Sequence, residues 1–143
     1  MKFRFRLEKV LEYRKRLEDE AKRNYLLAKA STEAALHELE MLYRSIDEAR
    51  ARAPMSQAAE LQRDDVFIAG QKLRIEQKRI KIRELKEEEE RTQEILADSA
   101  KEKKTLVRLK ERKFDEFKKE VQRLENLEAD EFSVMRYKRG EGL

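Results

Sequence analysis

Leu7, Val10, Arg14, Leu17, Ala21, Tyr25 and Ala28 follow one another at steps of three and four residues. That spacing draws a single narrow stripe down an α-helix. After a stretch of small residues, AKASTEAA at 28–35, the stripe resumes as Ala35, Leu39, Leu42, Ile46, Ala49 and Ala53. Around it the surface is charged: Asp, Glu, Lys and Arg make up 46% of the 143 residues, against about 25% in an ordinary domain. A helix with one apolar seam cannot fill a globular core, so it must lay that seam on another helix. Highly charged chains can also be disordered, but the regular apolar spacing argues for long helices.

The one proline falls in RARAPMSQ. Pro54 lacks an amide donor and its ring crowds the preceding turn, so a first helix over about 2–52 ends there. Ser56 is placed to cap a second helix after a turn at about 53–57. A second stripe then runs from Phe67 or Ile68 through Ile75, Ile82, Leu85, Leu96 and Val107 to Phe114, Phe117, Val121 and Leu124. Gly70 costs this helix about 1 kcal/mol relative to Ala without ending it. The second helix spans about 58–136, and residues 137–143, closing in RGEGL, read as a mobile tail. The expected fold is all-α, one domain, with two long helices forming an antiparallel coiled-coil hairpin whose second helix is the longer. At 1.5 Å per residue the helices measure about 75 and 115 Å. Leu7 then falls opposite residue 103, and helix 2 overhangs by about 40 Å. Phe114, Phe117, Val121 and Leu124 are expected on that overhang, with Phe3 and Phe5 near its start.

Charge comes in blocks. Residues 1–23 hold nine Lys or Arg and five acidic residues, and residues 101–123 hold ten and five. Antiparallel pairing brings these two blocks together, so the open end of the hairpin is positive and calls for an acidic partner. Residues 72–83 carry six basic and one acidic residue, and 84–98 carry two and seven. Nothing catalytic accompanies this pattern. His37 is the sole histidine and has no ligand or triad companions. The run Glu87–Glu90 lacks the spacing and central glycine of a calcium loop. No glycine-rich phosphate loop is present, and a two-helix hairpin offers no enclosed pocket. The reading is therefore not an enzyme, with no cofactor and no metal. Cysteine is absent, which fits a reducing compartment. No apolar run reaches the roughly 20 residues of a membrane helix, so no direct membrane insertion is expected, and the basic start lacks the apolar stretch of a secretory signal. Acidic residues interleave every basic block and would repel a phosphate track, which argues against a nucleic-acid partner.

Three stretches together resemble the FliJ family, a coiled-coil component of the flagellar type III protein export apparatus. The opening FRFRLEKVLEYRKRLEDEAK is similar to the family's F-x-F-x-L-x-x-V/L-L-x-x-R start with its acidic pair. The centre, FIAGQKLRIEQ at 67–77, resembles its F-I-x6-I-E-Q stretch, and LEADEFSVMRYKR resembles its close at Leu127, Asp130, Glu131, Phe132 and Arg136.

The resemblance implies a cytoplasmic, peripherally membrane-associated, stalk-like protein, monomeric or weakly oligomeric. Such a protein inserts the end bearing both termini into a hexameric export ATPase ring, promotes its assembly and activity, and contacts the cytoplasmic domain of the export gate. Some members recycle export chaperones, a third class of partner. For the ring, the candidate residues of the N-terminal stretch are Phe3, Arg4, Phe5 and Arg6. Those of helix 2 are Arg108, Lys110, Phe117, Val121 and Leu124, followed by Asp130, Glu131, Phe132 and Arg136. For the gate, Phe67 matches the start of the family's face on helix 2, and Gln71, Arg74 and Lys78 occupy its following positions. Two other readings stand beside this one: the equivalent stalk of an injectisome-type secretion system, and a homo-oligomeric coiled-coil scaffold.

Overall fold

The computed structural model describes residues 1–140. Helix α1 runs Glu8–Arg52 and helix α2 runs Ala58–Lys138, 45 and 81 residues respectively. A 3-10 turn, Ala53–Met55, joins them, and no strand occurs among the described residues. The fold is all-α, an antiparallel helical hairpin with the second helix longer. The chain divides into two compact units: Glu18–Asp98, which contains the turn, and Met1–Leu17 with the chain from Ser99 on.

The seam of α1 is an unbroken heptad. Positions 7, 11, 14, 18, 21, 25, 28, 32, 35, 39, 42, 46, 49 and 53 are all buried or half-buried. This corrects the expected stripe at one point. Leu11 is 1% exposed, whereas Val10 is 41% exposed, because steps of four and three from Leu7 carry the seam through 11. It also fills the small-residue gap. Thr32 is buried, and its hydroxyl donates to Ala28 O at 3.1 Å and across the seam to Leu85 O at 3.4 Å. Small Ala28 and Ala35 beside it allow that close backbone approach.

On α2 the positions 64, 68, 71, 75, 78, 82, 85, 89, 92 and 96 are shielded in the same rhythm, with Ile68 rather than Phe67 in the seam. Past Leu96 the same rhythm continues through 99, 103, 106 and 110, with Ala100, Val107 and Leu109 half-buried beside it.

Polar pairs fix the register. In the unit with the turn, Arg52 meets Asp64 at 3.4 Å, Gln71 Nε2 donates to Ser45 Oγ at 2.9 Å, and Lys78 pairs with Glu38. Each sits further along α2 than a turn centred on 53–57 dictates, because residues 58–63 of α2 stay exposed and the pairing begins only at Asp64. In the other unit Arg14 pairs with Glu102, and Lys110 with Glu8 at 2.8 Å. The expected opposition of Leu7 and residue 103 is therefore corrected to the neighbourhood of Lys110.

The ends differ from expectation as well. Ser56 is extended and donates to Arg52 O at 2.8 Å, closing α1 rather than capping α2. Gln57 takes the capping position: its carbonyl accepts from Leu61 N at 2.9 Å, and its N–H reaches Glu60 three residues on. At the far end Tyr137 and Lys138 are helical, so α2 outruns the expected boundary at Arg136. Gly140, at φ +75°, supplies the left-handed residue just past the helix. The remainder of the expected tail, 141–143, lies outside the described residues.

The first helix starts at Glu8, not at residue 2. The reason is legible in KFRFRL: Phe3, Phe5 and Leu7 are half-buried while Lys2, Arg4 and Arg6 are exposed, a period of two that no helix face matches. A prediction follows from the seam. Leu11→Ala should destabilise the fold by about 2–3 kcal/mol, the low end for a buried leucine, whereas Val10→Ala should stay within about 0.5 kcal/mol. Urea unfolding of the two variants checks it, and equal losses would misplace the seam.

Candidate functional site

The open end is built by residues 2–7, which lie on α2 and turn into α1 where Glu8 N–H donates to Phe5 O at 3.1 Å. Phe3 packs on Phe114 and Phe117, with ring centroids 5.2 and 5.5 Å apart and tilted planes, within the favourable range for aromatic pairs. Phe114 and Phe117 are expected on an uncovered overhang; Phe3 packs on both, leaving Phe117 half-buried and Phe114 still 39% exposed.

On one side of Phe3 lies an open groove of about 420 Å³ reaching Leu11 and Val107. On the other lies one of about 700 Å³ between residues 2–7 and Leu109, Lys113 and Phe117. Both are open to solvent.

Charge rims these grooves. Arg4, Arg6 and Arg108 are exposed, and Lys110 is half-buried in its pair with Glu8. The Lys118 ammonium lies 4.6 Å from the centre of the Phe114 ring, a cation–π contact. Arg123 donates to Glu120 through Nε at 3.1 Å and Nη2 at 2.6 Å. That bond keeps the Glu120 carboxyl below the usual carboxylate range and raises Arg123. Lys118 and the Glu120–Arg123 pair escape a reading by charge block, because only i,i+3 and i,i+4 partners reveal them.

Further along, Val121 and Leu124 are half-buried, and residues 125–138 are exposed on every side. Asp130, Glu131, Phe132 and Arg136 lie there, with the Arg136 guanidinium 5.4 Å from the Phe132 ring. At 1.5 Å per residue they sit about 20 Å beyond Phe117, so the thirteen ring candidates form a basic aromatic collar and a separate projecting helix rather than one patch.

The second candidate face does not assemble as expected. Gln71 is 7% exposed and turned into the seam, where it donates to Ser45 and accepts from Arg74 Nη1 at 3.0 Å. Lys78 is half-buried against Glu38. Both are register residues of the coiled coil, so of the four only Phe67 and Arg74 are exposed. The bond to Lys78, with the charge behind it, draws the Glu38 carboxyl below the usual range. His37 is exposed beside it. Among the described residues no group of three or more His, Cys, Asp or Glu could hold a metal ion, and no helix is long and apolar enough to cross a membrane.

A family profile described as flagellar FliJ protein matches residues 2–142. Comparison with curated proteins and with solved structures finds no match.

Two outcomes test this geometry. Phe3→Ala should cost about 1–2 kcal/mol, as expected for a half-buried ring with two aromatic neighbours. It should also speed amide hydrogen exchange over 8–14, while Arg4→Ala leaves both unchanged. The second concerns pH. Glu38 binds its proton less readily when folded, so the stabilisation from its pair is complete above the unfolded carboxylate pKa and is lost as pH falls through the lower, folded value. Lys78→Met should therefore flatten the fall of the unfolding midpoint below about pH 5; an unchanged slope would remove the pair from the linkage.

Proposed function

The chain belongs to the flagellar FliJ protein family, a non-catalytic component of flagellar protein export, and from that membership we propose that its open end seats in the ring of a hexameric export ATPase. The observation that supports this is the join of two surfaces at one end. A collar of Phe3, Phe5 and Phe117 is edged by Arg4, Arg6 and Arg108, and it passes into a stretch of α2 with no cover from α1.

The basic edge steers the end toward acidic loops, acting mainly on the association rate and weakening with salt. Val121, Leu124 and Phe132 then supply short-range burial, about 1.5–3 kcal/mol for each side chain fully enclosed. Asp130, Glu131 and Arg136 set rotational register by pairing with the ring. Seated this way, the protein promotes ring assembly and activity and couples the ring to the cytoplasmic domain of the export gate. Phe67 and Arg74 carry the gate contact, since Gln71 and Lys78 are committed to the seam. Export chaperones are a further partner, and the protein works peripherally at the inner-membrane export apparatus.

Truncation after Gln122 tests the ring contact. The paired body should survive, because its last cross-helix contacts, Lys110 with Glu8 and Phe3 with Phe117, precede the cut. ATPase stimulation and ring assembly should fall at least tenfold in potency. Undiminished stimulation by the truncated chain would reject the projecting end as the ATPase site.

A further inference from the structure

Helix α2 carries a second aliphatic stripe on its back. Val66, Leu73 and Ile80 stand at intervals of seven and are 70%, 65% and 56% exposed. Each is two positions past a seam residue, 64, 71 or 78, and so about 200° round the helix from it. The stripe is thus turned away from α1. Ala69 and Gly70 lie between the large residues, and a Cβ at Gly70 would meet nothing within 4 Å.

The flanks decide what could cover it. Lys72 and Arg83 are exposed on one side, and Arg63, Arg74 and Lys81 on the other. The acids near the stripe are Asp65, Glu76 and, four residues past Ile80, Glu84, and Glu76 is already engaged by Arg79 at 3.6 Å. Five cations against three acids leave the flanks net positive. A second copy would bring the same positive borders against themselves, which opposes self-association. A lipid surface calls for a broad apolar face, whereas this stripe is one side chain wide and repeats at the coiled-coil interval.

We propose that the back of α2 from Val66 to Ile80 docks a partner helix whose own aliphatic heptad seam is bordered by Asp and Glu. Leu73 is the central knob, and the small pair Ala69 and Gly70 lets the partner backbone approach. Lys72 and Lys81 contact its acidic borders. This surface is independent of the open end.

The probes are two synthetic helical peptides of about four heptads with Leu at both seam positions, one with Glu at the bordering positions and one with Lys. Fluorescence anisotropy with the full chain should show binding of the Glu peptide, weakening as salt rises, and none of the Lys peptide. Leu73→Ala and Leu73→Glu should each lower affinity for the Glu peptide at least tenfold without moving the unfolding midpoint, since Leu73 supports no contact with α1. Lys72→Glu with Lys81→Glu should reverse the peptide preference, while Phe132→Ala changes nothing. Equal binding by the Leu73 variants would overturn the proposal. So would a Leu73-dependent dimer in sedimentation equilibrium, or Leu73-dependent binding to phosphatidylglycerol vesicles, without peptide binding.

Discussion

A helix that is apolar along one line and charged everywhere else has a single way to leave water, and the fold follows from where the matching line lies. In α1 that line is continuous from Leu7 to Ala53, and α2 offers its counterpart from Asp64 onward. Hydrophobic burial alone would not choose among alignments, because sliding one helix by a heptad restores a similar set of contacts. The polar seam residues break that degeneracy. A slip of seven residues would set Arg14 against Ile95 or Leu109 instead of Glu102, and Glu38 against Gln71 or Leu85 instead of Lys78. Exposed ion pairs stabilise by only about 0.2–1 kcal/mol, but leaving a half-buried charge opposite an aliphatic side chain costs more than a made pair gains. The pairs thus contribute little to stability and much to register.

Register in turn places the open end. With Lys110 against Glu8, the first helical residue of α1 stops short of Phe114, and residues 2–7 continue past it to lay Phe3 on both rings. The strand-like period of those six residues positions Phe3 on the aromatic pair and leaves Arg4 and Arg6 facing out.

What the sequence discloses depends on whether the signal is periodic. The two helices, the break at Pro54 and the positive open end are statements about repeats and punctuation, and these could be read directly. Val10 and Leu11 could not be separated, because both are apolar and a step of three competes with a step of four. Gln71 and Lys78 read as surface residues because polarity conceals a seam position; only the partner, Ser45 or Glu38, shows it. Ser56 has the right side chain for a cap but stands one residue too early. The alternation in residues 2–7 was present, but six residues of period two are easily absorbed into a neighbouring helix of period 3.6.

The projecting part of α2 shows how stability is distributed along one helix. Residues 125–138 are exposed on every side, and a helix of that length standing alone is marginal in water. They escape the cost of nucleation because they extend a helix already formed by the seam. What holds them is local: intrinsic propensity, and contacts such as Arg136 over Phe132. Yet this is where Leu127, Phe132 and Met135 are exposed, apolar groups that a partner could bury at little further ordering cost. A segment that is already helical suits docking, since its backbone order need not be supplied by the partner.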